Sequence, residues 1–402
     1  MKQMKPIVSW VKHGRRASID RISDGTDNGS WGVFFGSGYA STHQENKQAY
    51  LYGIAANDKT SLWQRDGLDI NRIKLSNSQL PNDVASPVLT ADFEGDYISD
   101  SIYVGNRYGT MSRVSNIGRA EDPEITTLFD FNPSCSWGSL NPISAKATYG
   151  HGIKTETQNY PIWIYFGTGA YKTQADKMNT NPQYFFGLKD NRDLPRCYLY
   201  PFTGESPNPE DPIICGDIVA LAAKFISKNV TIGEGVTEEK QVRYIDGICT
   251  ENQSWLIKLY NGQAQYNGPV VLGSERVIVQ PLAVGGIVFF TTYIPDFDIC
   301  SGRGKTWLFA VDYNVGCAST KPVFDLNGDG LFDENDTIPN PDDPDHPYIP
   351  AAVSIEGGPG SKPVLGPGSM LFITTPVGGV EAIKVNLPAL KVRLGSWKEN
   401  EG

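Results

Sequence analysis

The chain has 402 residues and a formal net charge of −10, and its 42 Gly and 27 Pro suit short strands joined by turns better than long helices. Hydrophobics at 40% and aromatics at 11% supply a core and argue against disorder. Without a dense Lys/Arg run the chain lacks the clustered positive charge of a nucleic-acid surface, and no apolar run approaches the roughly 20 residues of a membrane helix.

The opening "MKQMKPIVSWVKHGRRASID" is basic but has no apolar secretory core, and residues 1–29 read as an extension or linker. From there a phrase recurs: apolar strand, Gly/Ser/Thr-rich bend, second apolar strand. It runs through "WGVFFGSGYAS" and "AYLYGIAA" (Trp31 to Ala56), then "DSIYVGNRYGTMSRV" (Asp100 to Val114), then "IWIYFGTGAYKT" and "YFFGLKD" (Ile162 to Asp190). Tyr184, Phe185 and Phe186 in this third unit are expected in the core. Residues from about 179 to 250, rich in Asn, Pro and Asp at their start, read as an insertion. Within it "DIVALAAKFISKN" (Asp217 to Asn229) predicts a helix by propensity and apolar spacing. "SWLIKLYNG" (Ser254 to Gly262) belongs to a degenerate unit before "GGIVFFTTYIP" with "TWLFAVD" (Gly285 to Asp312), and "GSMLFITTPVGGVEAIKV" (Gly368 to Val385) closes the series.

Each hairpin has an apolar face that it cannot bury alone. Radial stacking buries those faces and leaves short edges, so the pattern predicts one all-β domain over residues 30–397, a β-propeller in preference to a two-sheet sandwich. Six cysteines (Cys135, Cys197, Cys215, Cys249, Cys300, Cys317) form no Cys-x-x-Cys, which fits disulfides in an oxidising compartment. The expected bridge is Cys300–Cys317, which closes a short loop.

"FDLNGDGLFDENDT" (Phe324 to Thr337) concentrates acidic residues at a meaningful spacing. Counting from Asp325, the oxygen-bearing side chains Asp325, Asn327 and Asp329 fall at positions 1, 3 and 5. Gly330 is at 6, the Leu331 carbonyl at 7, Asp333 at 9 and Asp336 at 12. This is the ligand spacing of an EF-hand-type Ca2+ loop, with Asp in place of the usual bidentate Glu. Pro322 before it and Pro339 and Pro341 after it exclude flanking helices, so the loop is expected inside β-structure, as in dockerins. A second stretch places Asp92, Glu94, Asp96 and Asp100 in similar steps, but Tyr97 stands where glycine should allow the turn. A hairpin turn is the better reading there, with calcium the weaker one.

Catalysis is not expected. Calcium-bearing quinoprotein propellers carry adjacent cysteines over the cofactor, and no two cysteines here are neighbours. His13, His43, His151 and His346 lie apart, with no nucleophile phrase around them. A calcium-stapled surface interaction module unrelated to any larger machine is a further alternative.

Together the hairpins and the acidic loop resemble the C-terminal propeller domain of the PilC/PilY family, adhesins at the tips of bacterial type IV pili. The resemblance lies in "WGVFFGSGYAS", "ASPVLTADFEGDYISDSIYVGNRYGTMSRV", "YFGTGAYKTQADKMNTNPQYFFGLKD", "ERVIVQPLAVGGIVFFTTYIPDFDICSGRGKTWLFAVDYNVG" and the closing "VRLGSWKENEG", over Ser30 to Trp397. It implies a modified propeller of about seven blades, export through the periplasm to the cell surface or pilus tip, and partners among the minor pilins. It also implies a role in pilus biogenesis, in the balance of extension and retraction, and in attachment to a surface or host ligand. Carried over, the family's Ca2+ ligands fall on Asp325, Asn327, Asp329, the Leu331 carbonyl and Asp333. The family's large N-terminal region and its signal peptide are not found in this sequence, which reads as a piece of a longer protein. No Arg-Gly-Asp integrin motif occurs, only "RDG" at Arg65 to Gly67.

Overall fold

The computed structural model describes residues 17–26, 28–38, 49–75, 84–131, 141–151, 161–190, 197–199, 218–232, 236–251, 253–260, 273–295 and 304–387. Period-two alternation folds the first of these into β1 (Ser18–Ile22), β2 (Ser30–Gly36) and β3 (Tyr50–Ala55). A small hairpin of β4 (Trp63–Arg65) and β5 (Leu68–Ile70) follows, and β6 (Arg72–Lys74) completes a sheet of order β1-β2-β3-β6. Its inward residues Phe34, Leu51 and Ala55 pack with Trp63.

Next come β7 (Leu89–Ala91), β8 (Ser101–Gly105), β9 (Met111–Ser115) and β10 (Glu124–Phe131), an antiparallel meander. After β11 (Thr148–His151) and β12 (Ile162–Gly167), a single helical turn, α1 (Gln174–Lys177), leads to β13 (Tyr184–Asp190). Then β14 (Cys197–Leu199) returns to pair in parallel with β10.

The remaining strands are β15 (Ile218–Ile232), β16 (Val236–Asp246), β17 (Ser254–Lys258), β18 (Leu282–Val284), β19 (Ile287–Ile294), β20 (Lys305–Asp312) and β21 (Ala352–Ile355). A terminal three-stranded sheet is built from β22 (Val364–Gly366), β23 (Met370–Thr375) and β24 (Gly379–Lys384).

All five hairpins read from the sequence are present: β2–β3, β8–β9, β12–β13, β19–β20 and β23–β24. The third and fourth are joined in one ten-stranded sheet of order β11-β12-β13-β17-β15-β16-β21-β20-β19-β18. Its two ends meet, since Gln280 Nε2 donates to the Ala147 carbonyl at 3.2 Å beside them. β12 and β19 are buried along their whole length, which explains why "IWIYFG" and "IVFFTTYI" run apolar without polar alternation. Phe185 stacks on Phe290 at 3.6 Å and Phe290 on Phe309 at 4.6 Å, so the expected aromatic core of the third unit is borne out. The fold is all-β and propeller-like, as expected.

Two expectations are corrected. The helix expected over Asp217 to Asn229 is not found in its described part: from Ile218 the segment is strand β15, laddered to β16 from Ala222↔Asp246 through Ile232↔Val236 and in parallel to β17. Tertiary pairing outweighs a propensity worth only tenths of a kcal/mol per residue. Cys317 bonds Cys249, not Cys300, at a sequence separation of 68 with Cα atoms 6.0 Å apart. Loop length favoured the near cysteine, but Trp255 at the start of β17 donates to the Tyr313 carbonyl and packs on Gly316, which brings Cys249, just before β17, beside Cys317. Cys135, Cys215 and Cys300 lie outside the described residues.

Candidate metal centre

The acidic loop hangs from two buried stems. Phe324 bridges Val385, Ile338 bridges Tyr348, and Phe324, Leu326 and Ile338 pack with Leu371, Ile373 and Val385. Between the stems the loop coils on its own amides. Asp325 Oδ1 accepts the Gly328 N–H at 2.6 Å and Oδ2 the Gly330 N–H at 2.8 Å. Asn327 Oδ1 accepts from Asp329 at 3.1 Å, Asp329 Oδ1 from Leu331 at 2.7 Å, and Asp333 Oδ1 from Asn335 at 2.8 Å. Gly328 (φ 76°) and Gly330 (φ 83°) supply the left-handed residues that this coil requires. As expected, no helix of an EF-hand flanks it; a 3-10 turn, Glu334–Asp336, ends it.

Asp336, at position 12 and outside the set of five ligands, turns inward. It is fully buried, its Oδ1 accepts the Leu326 N–H at 2.6 Å and its Oδ2 the Asp333 N–H at 3.2 Å. Burial pushes its carboxyl above the ordinary range, against the pull of those amides. Its carboxylate ties the two ends of the loop together from inside.

Three lysines brace the loop from outside. Lys240 Nζ donates to the Leu326 carbonyl at 2.6 Å, Lys384 Nζ to Gly330 at 3.1 Å, and Lys228 Nζ to both Asn335 and Thr337. The Lys228 ammonium is pushed below its usual range by burial and held up in part by Asp336 and Asp333. Sequence spacing could not find these contacts, because they join segments far apart in the chain.

Asp325, Asn327, Asp329, Asp333 and the Leu331 carbonyl are hard oxygen donors, and each carboxylate retains lone pairs beyond the amide it accepts. This chemistry suits Ca2+, whose flexible shell takes carboxylate, amide and carbonyl oxygen together. In the present arrangement the side chains face loop amides, and among the described residues no three His, Cys, Asp or Glu side chains are grouped to hold a metal ion. The donor types fit; a ligand shell would draw the same side chains partly away from those amides.

The second acidic stretch connects β7 and β8 as a hairpin turn, with Ala91 opposite Ser101. It nevertheless repeats the first loop's bonding. Asp92 Oδ1 accepts from Gly95 and Oδ2 from Tyr97, both at 2.7 Å, and Asp96 Oδ1 accepts from Ile98 at 2.8 Å. Asp100 Oδ2 then accepts the Phe93 N–H at 2.6 Å, in the manner of Asp336, and burial likewise raises its carboxyl. Tyr97, 79% exposed, adopts φ 68°, a left-handed conformation that favours glycine. Of the histidines, His151 is exposed at the end of β11, and His346 is exposed with Nδ1 2.8 Å from Asp343. His13 and His43 lie outside the described residues.

No protein-family profile matches the chain. A type IV pilus biogenesis factor PilY1 homolog of Xylella fastidiosa is 24% identical over 308 residues, covering 74% of this chain and 18% of that protein. The type IV pilus biogenesis factor PilY1 of Pseudomonas aeruginosa is 24% identical over 339 residues, covering 76% of this chain and 26% of that protein. The chain thus spans about a fifth to a quarter of these relatives' length. The crystal structure of the Pseudomonas aeruginosa PilY1 C-terminal domain superimposes with a TM-score of 0.62 and 18% identity, over 92% of this chain and 72% of that one. The resemblance read from the hairpin phrases is therefore borne out: this chain is similar in sequence to the PilY1 factors and has the fold of the PilY1 C-terminal domain.

Proposed function

We propose that this chain is a calcium-binding, non-enzymatic module of the type IV pilus machinery, acting at the cell surface or pilus tip. The observation that carries the pilus reading is the sequence similarity to PilY1 factors along most of the chain. In this reading it supports pilus biogenesis, biases extension against retraction, contacts minor pilins and contributes to surface attachment. Deleting the gene and restoring it should abolish and then recover surface piliation and twitching, and minor pilins should co-purify with the protein. Normal piliation in the deletion strain would overturn the pilus role and leave a calcium-stapled interaction module of another kind.

The calcium reading rests on the spacing and donor types of Asp325, Asn327, Asp329, Asp333 and the Leu331 carbonyl. When bound, the ion would offset most of the loop's carboxylate charge and fix its backbone; it supplies no reaction chemistry. The four side chains bind and orient, while Asp336 holds the loop ends. Asp329→Ala with Asp333→Ala should abolish Ca2+ binding in calorimetry with the β circular-dichroism signal retained, and undiminished binding would sink the assignment.

A further inference from the structure

The longest hairpin among the described residues extends beyond its sheet and rests on the acidic loop. β15 pairs with β17 only from Ile218 to Ala222, and β16 pairs with β21 only at Val242 and Arg243. From Ser227 to Ile232 and from Val236 to Gln241 the two strands pair, among the described residues, only with each other. An isolated two-stranded ribbon is marginally stable in water, so its order depends on what lies beneath it. Beneath it is the loop: Val230 of the ribbon shares one buried cluster with Val323, Phe324, Leu326 and Ile338, and Leu326 is the loop's second residue.

The polar contacts point the same way. Lys228 and Lys240 are direct cross-strand partners, a like-charge pairing that by itself weakens the ladder. Both ammonium groups reach loop carbonyls, Lys240 to Leu326 and Lys228 to Asn335 and Thr337. None of these carbonyls belongs to Leu331, so the lysines and an ion need not compete for the same oxygens. The three carboxylates of Asp325, Asp329 and Asp333 exceed a divalent ion by one charge, and the occupied loop still faces the ammonium groups with net negative charge.

We propose that the ribbon of Ser227 to Ile232 and Val236 to Gln241 is a strap whose docking is set by cation occupancy of the 325–333 loop. The inference rests on the calcium reading above. An ion that fixes the loop backbone fixes the carbonyls and the Leu326 side chain on which the strap sits; by reciprocity a docked strap strengthens ion binding. Docking covers the apolar side of the ribbon, and release exposes it.

Hydrogen exchange of the whole chain in Ca2+ and in chelator tests this. The strap amides should exchange about tenfold more slowly in Ca2+, a typical coupling between two sites. Lys228→Met with Lys240→Met should remove most of that slowing while calorimetry still detects Ca2+ binding. In Asp329→Ala with Asp333→Ala the strap should exchange fast under both conditions. If Ca2+ binds and slows the loop amides but not the strap, or if the lysine variant keeps the full slowing, the strap is not coupled and the proposal falls. Absence of Ca2+ binding to the unaltered chain would instead sink the calcium reading, and the strap proposal with it.

Discussion

Arg243 and Glu275 form an ion pair from which water is wholly excluded: Nη1 donates to Oε2 at 2.8 Å, and both side chains are 0% exposed. The guanidinium lies 3.9 Å from the Phe225 ring centre and 4.0 Å from that of Trp307. Glu275 also accepts the Tyr260 N–H at 2.9 Å and the Thr292 hydroxyl. The pair thus joins the base of the strap, where β16 meets β21, to β19 and the turn after β17.

Glu275→Gln should destabilise the domain by about 3–5 kcal/mol in urea titrations, because it leaves the guanidinium buried without its counter-charge. Replacing the pair by Arg243→Met with Glu275→Gln should cost less than Arg243→Met alone. A neutral outcome for Glu275→Gln would show that the pair is hydrated in solution.

Cys249→Ser should lower stability by about 4 kcal/mol, the chain-entropy value for closing a loop of that length. Addition of reductant should lower the unaltered protein equally and the variant not at all through this bond. Peptide mapping that joined Cys317 to Cys300 would contradict the observed pairing.

Trp255 is clamped between two glycines. A Cβ on Gly187 would stand 2.3 Å from its Cε2, and one on Gly316 would stand 2.4 Å from its Cδ2. Gly187→Ala should therefore lose about 1–3 kcal/mol by overpacking. Trp255→Leu in the same chain should make the Gly187→Ala substitution nearly costless, a coupling that a double-mutant cycle in thermal melts would read.

Asp312 is raised above the ordinary carboxylate value of 3.8 by burial, although its Oδ1 accepts the Asn314 N–H at 2.8 Å. The folded state therefore holds this proton more firmly than the unfolded chain does. Its contribution to stability is complete below pH 3.8 and is lost as pH rises through the folded value. Asp312→Asn, which keeps the neutral shape, should flatten that part of the stability-against-pH curve measured by urea denaturation from pH 3.5 to 7, while a curve identical to the unaltered protein's would refute the assignment.

The parts of this molecule that the sequence determined by itself are those governed by neighbours along the chain. Alternation within "WGVFFG" or "TWLFAV" sets each hairpin, since the pleat places alternate side chains on opposite faces. The loop from Asp325 coils through bonds spanning two to five residues, so its inward oxygens and the need for Gly330 were legible in the spacing. Tertiary structure decided what depends on distant segments. Ile218 to Ile232 is a strand because β16 and β17 lie beside it, Cys317 found Cys249 because Trp255 packs on the turn after β20, and Asp336 was drawn into a buried backbone clasp. Tyr97 could take a left-handed conformation because Asp92 and Asp100 hold its turn from both sides. Lys228, Lys240 and Lys384, which brace the loop, had no signature at all, because their contacts exist only once β15, β16 and β24 have folded against it.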